Sequence, residues 1–391
     1  MKNLPIEPPP ITTPCQAQVP PDRGLGVCLV QAYRAPTYIR GASLKAALQA
    51  VDSVSLALAM NRSAGLARYW EAIRDLKRMQ RERKPDIFIL VFRGHEIAWL
   101  VRRLTRNGIF VFDAMMSPYA AFTEEGKFGW IGRLFARLWR PLEHMALRNA
   151  DAVLTDTTAH AAYYQSEFGI PAKKIIVVPV GAIAVDPGHR KPLPKDRSDP
   201  FRVLFYGSFL PLHGVDIIIA AAALLTDLPI HFAFIGGNKR DARKLLEARP
   251  REGAVRFTHR LWVPIERLLD EEIPAADLCL GGPFGNTPQS RRVITGKTHQ
   301  ALASGKAVVI GRINDEGGFI DKQNCLLVEQ GNPIALAEAI RWAYDNRKEL
   351  PALGSSGQDL HVQRYSSRVI GANLVDALSR LRHQRSTSTG A

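Results

Sequence analysis

The stretch FRVLFYGSFLPLHGVDIIIAAAALLTDLPIHFAFIGG, residues 201–237, shows a strand, a helix and a second strand in its hydrophobic pattern. The apolar run 203–206 has strand length and stops at a glycine, and helical spacing follows over 215–225. A second apolar run, 231–235, also ends on glycine. Apolar strands that are joined by a helix predict a parallel sheet covered on both faces.

Glycines mark the ends of these strands and the start of the helix: Gly207, Gly214, Gly236 and Gly237. Because glycine has no Cβ, the backbone can approach a ligand closely at such positions. A helix that begins straight after the first loop also directs free N–H groups toward the same crevice. The stretch therefore predicts an anion site that suits a diphosphate, although turn glycines of an ordinary parallel sheet would give the same pattern.

The alternation of strands and helices extends over most of the chain, in two blocks. Predicted strands of the first block are 26–30, 54–59, 86–92, 109–112, 152–155 and 175–179. Those of the second block are 203–206, 231–235, 255–258, 278–280, 307–310 and 326–328. Predicted helices include 44–51, 66–82, 215–225, 265–271, 296–303, 333–346 and 368–382. The predicted fold class is α/β, with two parallel sheets whose strand ends face a cleft between domains.

Length and composition indicate where the domains divide. A chain of 391 residues that is 46% hydrophobic suits two domains, each with its own core. Pro-rich segments without large apolar side chains are typical of tails and linkers. The predicted divisions are a flexible tail at 1–23, a domain at 24–185, a linker at 186–200, a second domain at 201–364, a helix at 365–383 that packs back on the first domain, and a tail at 384–391.

Charge and cysteine content restrict the partners and the compartment. Lys and Arg number 52 against 37 acidic residues, and the net charge of +15 predicts an anionic partner. The basic residues are dispersed and no nucleic-acid-binding motif occurs, so nucleic acid is not expected. The four cysteines are scattered, with neither metal spacing nor disulfide density, which favours a reducing cytosol and no metal. No apolar run reaches the roughly 18 residues that a bilayer span needs.

Polar residues follow several predicted strands of the first block, at the edge of a parallel sheet where ligands bind. His95 and Asp113 are the candidates for catalysis there, since strand ends bring side chains to a crevice. Arg40, before the first helix, is a second candidate anion ligand. Each of these residues could instead be a loop anchor, a cap or a solvated side chain.

The segment KFGWIGRLFARLWRPLEHMAL, residues 127–147, combines aliphatic and aromatic residues at helical spacing with arginines between them. This pattern is typical of a helix that lies on an anionic membrane surface. A helix packed on the domain core with its arginines in water is the alternative. Pro141 is expected to kink or divide the helix in either case.

The densest group of polar candidates is GGPFGNTPQSRRVITGKTHQ, residues 281–300. Lys297 lies in the first turn of a predicted helix, where a cation is poorly matched to the helix dipole unless an anion also binds. A phosphate held by the helix amides and by Lys297 would resolve this mismatch, whereas a lysine that reaches solvent is the alternative. The loop before the helix supplies four more candidates: Asn286, Thr287, Arg291 and Arg292.

Five motifs in the second block resemble those of the GT-B glycosyltransferases of the family 4, group 1 type. In chain order they are VLFYGSFLPLHGVD, HFAFIGG, AADLCLGGPFGNT, VITGKTHQALASGKAVVIG and NCLLVEQGNPIALAEAI. They span about 150 residues and agree in order and spacing. In the first block, LRNADAVLTDTTAHAAYYQSEFGIPAKKIIVVPVGA is similar to the end of the family's N-terminal domain.

The resemblance implies two Rossmann-like domains and a retaining transfer of a sugar from a nucleoside diphosphate sugar to a glycan or lipid-linked acceptor, without an obligatory metal. The implied reaction takes place at the cytoplasmic side of the membrane. Charge on the departing diphosphate must then be neutralised by helix amides and cations. By position, the implied donor-binding residues are Gly207, Ser208, His213, Gly214, Gly236, Gly237, Asn286, Thr287, Arg291, Arg292, Lys297, Gln300 and Glu316. Lys297 would meet the diphosphate and Gln300 the ribose.

The chain departs from the family's usual pattern at four of these positions. Ser208 and His213 stand where the family has Arg and Lys, and Arg292 and Gln300 replace its pair of glutamates. The family's N-domain histidine has no certain counterpart, so Asp113 or His95 is expected to take its place, with Lys297 as the third catalytic candidate. Two other hypotheses stay open: a catalytically weak nucleotide-sugar-binding protein, which the altered pair suggests, and a sugar-nucleotide epimerase of the same fold.

Overall fold

The computed structural model describes residues 24–34, 38–124, 129–183, 200–314 and 317–389. The first half comprises β1 (Leu25–Gln31), α1 (Ile39–Gln49), β2 (Val54–Met60), α2 (Ala67–Glu82), β3 (Ile87–Leu90), α3 (Ala98–Leu104), β4 (Ile109–Asp113), α4 (Pro118–Glu124), α5 (Gly129–Asn149), β5 (Ala152–Thr155), α6 (Thr158–Phe168) and β6 (Ile175–Val177). The second half comprises β7 (Phe201–Gly207), α7 (Val215–Ala223), β8 (Ile230–Gly236), α8 (Lys239–Ala248), β9 (Arg256–Arg260), α9 (Ile265–Arg267), α10 (Ile273–Ala275), β10 (Leu278–Leu280), α11 (Gly296–Ala303), β11 (Val308–Gly311), β12 (Leu326–Val328), α12 (Pro333–Asp345), α13 (Leu350–Leu360) and α14 (Ser367–Thr389).

Each half contains a six-stranded sheet in which neighbouring strands are parallel. The strand orders are β2-β1-β3-β4-β5-β6 and β12-β11-β10-β7-β8-β9. Both faces of each sheet carry a buried apolar cluster, as unbroken apolar strands require. The predicted α/β class with two parallel sheets is confirmed, and every predicted strand is present with small shifts at its ends.

Several predicted helices differ from the observed ones. Helix α1 begins at Ile39, ahead of the predicted start at 44, and its first turn is held by buried contacts of Arg40. The predicted helix 265–271 is a π-helical turn, 268–272, between the short helices α9 and α10. Pro141 lies inside α5 without dividing that helix.

The C-terminal helix α14 crosses to the first half and packs against α1. Ile370, Leu374 and Leu378 are buried in the same apolar cluster as Leu44 and Leu48. A Cβ on Gly371 would lie 2.1 Å from the carbonyl oxygen of Ala47, so the two helices approach at a distance that only glycine permits.

Helix α14 also corrects the prediction of a tail at 384–391, because it continues to Thr389. The spacing of residues in the sequence could not show why the helix continues, because the reason is a contact with a distant part of the chain. The Arg385 guanidinium donates to the carbonyl oxygens of Arg106 and Gly108 in the first half, and these contacts hold the last turns.

The predicted tail 1–23 and the predicted linker 186–200, apart from Pro200, lie outside the described residues. No helix within the described ranges is both long enough and apolar enough to cross a bilayer.

Candidate active site

A cavity of about 380 Å³ lies between the carboxyl ends of the two sheets. Both halves of the chain line it. The first half contributes Tyr38, Ile39, Met115, Met116, Asp156 and Val180, and the second half contributes Gly207, Ser208, His213, Gln289, Lys297 and Gln300 among others. This volume and position are typical of a ligand site at the switch point of parallel sheets.

Lys297 is the cation of this cavity. It lies in the first turn of α11 and is 7% exposed. Its Nζ is 5.2 Å from the ring centroid of Phe205 and 3.7 Å from the place where a Cβ on Gly207 would lie. Burial lowers the pKa of Lys297 to about 7. Within the described residues it has no ion pair or hydrogen bond, so this ammonium is buried without a counter-ion.

The glycines at the strand ends shape the cavity wall through close backbone contacts. Gly236 has φ of 119°, and a Cβ there would lie 2.1 Å from the carbonyl oxygen of Gly207. Gly214 has φ of 63°, and its Cβ would lie 2.5 Å from the nitrogen of Gly285. Gly237 follows with φ of 71°. These residues set the course of the loops, while Gly207 itself borders the cavity.

Ser208 and His213 come together on one loop at the cavity mouth. The Nδ1–H of His213 donates to the carbonyl oxygen of Ser208 over 2.5 Å. Because a carbonyl can only accept, this bond fixes which ring nitrogen carries the proton and turns Nε2 away from that loop. Both residues line the cavity, as the resemblance implies for donor ligands.

Gln300 also lines the cavity, but its carboxamide is already engaged. Its Oε1 accepts from the backbone nitrogen of Ile183 over 2.9 Å, and its Nε2 donates to the Ile183 carbonyl oxygen over 3.3 Å. Ile183 belongs to the first half of the chain. The side chain expected at the ribose therefore joins the two halves in this arrangement.

Arg292 likewise connects the halves and does not line the cavity. Its guanidinium forms a salt bridge with Glu124 and lies 4.0 Å from the ring centroid of Tyr163. Its carbonyl oxygen accepts a hydrogen bond from Thr157. Glu124, Tyr163 and Thr157 all belong to α4, α6 or the residue before α6. In the position predicted for a donor ligand, the structure has an interdomain contact.

The other loop candidates bond within their own loop. Arg291 donates to Asn286 over 3.0 Å, and Thr287 exchanges hydrogen bonds with Ser290. None of Asn286, Thr287 and Arg291 lines the cavity. Their observed role is to shape the turn that leads to Gln289. Glu316, the last predicted donor ligand, lies outside the described residues.

Asp113 occupies a different place from the one predicted for a catalytic residue. Its side chain and that of Arg40 are both fully buried, and they form a salt bridge of 2.8 Å. Asp113 also accepts from the backbone nitrogen of Phe92, while Arg40 donates to the carbonyl oxygens of Val178 and Pro179. The expected anion ligand Arg40 and the expected catalytic carboxylate therefore satisfy each other inside the first half.

His95 is buried in the first half, away from the cavity. Its ring packs edge-on against Phe112 at 4.8 Å and Trp139 at 6.1 Å between centroids. Burial, together with the Arg93 charge, lowers the pKa of His95 to about 3. Neither ring nitrogen has a hydrogen-bond partner among the described residues. The predicted catalytic histidine is thus a neutral core residue here.

Asp156 and Gln289 line the cavity but were absent from the predicted site. Asp156 follows β5 at the cavity edge, and its Oδ1 accepts from the Nδ1 of His160 over 2.5 Å. The signal for Asp156 was available, because it lies at the end of a predicted strand. Gln289 is 1% exposed, and its carboxamide has no partner among the described residues. Only the fold of its loop brings it to the cavity.

The described part of the chain contains no candidate cluster of metal-ligating side chains. No group of three or more His, Cys, Asp or Glu side chains there has the spacing that a metal ion needs.

Comparison with known proteins identifies the family. Residues 19–181 match the family described as Glycosyl transferase 4-like domain, and residues 200–346 match Glycosyl transferases group 1. No curated protein matches the chain in sequence.

Solved structures share the whole two-sheet arrangement at low sequence identity. Sucrose-phosphate synthase from Thermosynechococcus elongatus has 15% identity and a TM-score of 0.67, over 94% of this chain and 100% of that chain. Anabaena HepE in complex with UDP-glucose has 16% identity and a TM-score of 0.63, over 91% and 100%. A glycosyltransferase from Rickettsia africae has 11% identity and a TM-score of 0.60, over 91% and 97%. The fold is therefore the predicted GT-B architecture, and with the two family matches it shows that the chain belongs to the GT-B glycosyltransferases of the family 4, group 1 type.

Proposed function

We propose that this glycosyltransferase moves a sugar, with retention of configuration, from a nucleoside diphosphate sugar to a glycan or lipid-linked acceptor. The observation that carries the proposal is Lys297, whose ammonium borders the cavity, is 7% exposed and lacks a counter-ion among the described residues. A buried unpaired cation is costly, and a bound diphosphate would supply its missing partner. HepE, a structure of the same fold, was solved with UDP-glucose.

The arrangement supports a role for Lys297 and the start of α11 in stabilising the leaving diphosphate. Backbone N–H groups in the first turn of α11 and the Lys297 ammonium would neutralise charge on the diphosphate as it departs. The C1–O bond to the diphosphate breaks, and a C1–O bond to the acceptor forms on the same face. The acceptor proton passes to the departing diphosphate, whose remaining charge the Lys297 ammonium and the helix amides would neutralise.

Asp156 is the proposed acceptor-side residue, in place of Asp113 and His95. It reaches the cavity from the first half and is oriented by the hydrogen bond from His160. A carboxylate at this position would accept a hydrogen bond from the acceptor hydroxyl and hold it toward C1. Gln289, with an unpartnered carboxamide on the cavity wall, is a further candidate contact for the donor.

The acceptor is proposed to be reached at an anionic membrane surface on the cytoplasmic side. Helix α5 exposes Leu134, Phe135 and Leu138, which are 54%, 44% and 65% exposed. Arg137 and Arg140 lie on the same helix and are exposed. Apolar side chains beside arginines support interfacial binding. Vesicles with anionic lipid should bind the protein and neutral vesicles should not; equal binding to both would overturn the membrane proposal.

A thermal-shift measurement tests the donor site. UDP and UDP-glucose, followed by guanosine and adenosine diphosphate sugars, should raise the Tm of the wild-type protein. Lys297→Met keeps the aliphatic length but removes the charge, so it should stay folded and lose most of the shift. Lys77→Ala, at an exposed lysine of α2, is the control and should keep the shift.

Product analysis then separates transfer from the other reactions of this fold. Transfer to an acceptor with the α or β configuration of the donor preserved is the expected outcome. An unchanged Tm of the wild-type protein with all the nucleotides at millimolar concentration would contradict the proposal. An altered nucleotide sugar formed without any acceptor would also do so, since it would indicate an epimerase.

A further inference from the structure

A basic groove lies at the outer edge of the second half, between α8 and the edge strand β9. Its volume is about 850 Å³. Five exposed cations line it: Lys239, Arg243, Arg249, Arg251 and Arg256. We call this feature the outer groove. None of its residues belongs to the cavity described above.

The positive charge of the outer groove is largely uncompensated. Glu247 is its one acidic lining residue, and it pairs with Arg243 at 3.8 Å while both side chains remain mostly exposed. Lys239, Arg249 and Arg251 have no ion-pair partner among the described residues. Several unpaired cations around one concave surface create a positive potential that attracts an anionic chain.

Part of the groove is fixed before any ligand binds. The Nη1 of Arg256 donates to the carbonyl oxygens of Gly253 and Val255, over 2.9 and 3.0 Å. The ring of Phe257 in the wall packs on Phe232 and Phe234, with centroids 5.5 and 5.2 Å apart. A preorganised cation over a rigid apolar wall lowers the entropic cost of binding.

The groove leads away from the sheet edge that borders the active-site cavity. Lys239 begins α8 shortly after Gly236 ends β8 at that edge. Arg249 and Arg251 lie beyond the far end of α8, about 15 Å along the helix. Trp262, which is 74% exposed, follows β9 at the same edge as Lys239. An exposed indole offers a flat apolar face on which a sugar ring can stack.

We propose that the outer groove binds an acidic polysaccharide chain, whose anionic groups contact the groove arginines and one of whose sugar rings stacks on Trp262. This inference rests on the proposed function, because a glycan is the acceptor class considered there. A flat membrane would not follow a concave groove. Nucleic acid is not the proposed occupant, because the basic residues of the chain are dispersed and the sequence carries no nucleic-acid-binding motif.

Binding of polygalacturonate oligomers to the full-length protein tests the proposal by calorimetry. A maltooligosaccharide of equal length is the neutral comparison, and polyglutamate is the non-saccharide polyanion. Arg249→Glu with Arg251→Glu should weaken polygalacturonate binding by roughly tenfold, since two exposed ion pairs are lost. Arg81→Glu with Arg83→Glu, at exposed arginines near the end of α2, makes the same charge change elsewhere and should have less than about twofold effect.

Two further results are expected. Binding should weaken as salt is added, and Trp262→Ala should weaken the polygalacturonate complex while polyglutamate, if it binds, is unaffected. Equal losses in both double variants, equal affinity for the neutral oligomer, or equal affinity for polyglutamate would overturn the proposal. The groove variants should retain the Tm shift with UDP, so failure of this inference is distinguishable from failure of the donor site.

Discussion

The carboxylate of Asp113 and the guanidinium of Arg40 form a salt bridge of 2.8 Å in which neither side chain is exposed. The pair joins the end of β4 to the first turn of α1. Arg40 also donates hydrogen bonds to the backbone carbonyl oxygens of the two residues after β6. A position that sequence reasoning assigned to catalysis is therefore occupied by a contact that holds the first sheet and its first helix together.

Removal of the Asp113 carboxylate should destabilise the protein. Asp113→Ala leaves the Arg40 charge buried and unpaired, so we expect a loss of about 3–5 kcal/mol in the free energy of unfolding. Urea denaturation measures it. Glu167→Ala is the control, because Glu167 partners a half-exposed Arg140 and its loss should cost less than about 1 kcal/mol. An Asp113→Asn protein of unchanged stability that had lost turnover would restore a catalytic role to this residue.

Diphosphate binding should be linked to protonation of Lys297. Burial lowers the pKa of Lys297 to about 7 in the free protein, so above that pH much of the amine is neutral. A bound diphosphate would raise the pKa again, and the complex would take up a proton. Affinity for UDP should therefore fall as pH rises from 7 toward about 8.5, and the binding enthalpy at pH 8 should vary with the ionisation heat of the buffer.

The groups of UDP itself change little over this range, because the last phosphate ionisation lies near pH 6 and the uracil N–H ionises only at higher pH. Lys297→Met should bind weakly at every pH and show no buffer dependence. A flat affinity profile for the wild-type protein between pH 7 and about 8.5 would show that the Lys297 amine does not meet the diphosphate.

The contact between Arg292 and Glu124 should help to hold the two halves together. Both side chains are largely buried, at 13% and 18% exposed. A double-mutant cycle with Arg292→Ala and Glu124→Ala should give a coupling energy of about 1–3 kcal/mol. Small-angle scattering should show a larger radius of gyration for each single variant. Arg291→Ala, which removes an exposed neighbour bonded to Asn286, is the control. Unchanged scattering and no coupling would mean that the halves are held by other contacts.

Local sequence patterns predicted the strands well because most of them are short apolar runs ended by glycine or a polar residue. The same patterns located Gly207 and Lys297 at one cavity, since strand ends and a helix start meet at one sheet edge, and the family resemblance added Ser208 and His213. They could not show that Gln300 bonds to the backbone of Ile183, which is 117 residues away in the chain. Contacts of that kind depend on how the two halves are docked, and no local periodicity encodes them.

Unfolding measurements across pH should reveal a buried carboxyl in α5. Glu143 is fully buried and accepts from Ser117, from the backbone nitrogen of Tyr119 and from Tyr164, over 3.0, 3.1 and 3.3 Å. Burial raises the pKa of Glu143 from 4.5 to about 7 despite these bonds. The folded protein therefore holds this proton more tightly than the unfolded chain does between those two values, and its stability should fall as pH rises through them. Relative to Glu143→Gln, which does not titrate, the wild-type protein should lose up to about 3 kcal/mol between pH 5 and 8.

Urea unfolding at several pH values measures the difference, with Glu338→Gln, at an exposed position of α12, as the control that should follow the wild-type curve. Parallel curves for the wild-type protein and Glu143→Gln would mean that the carboxyl does not carry its proton in the folded state near neutral pH.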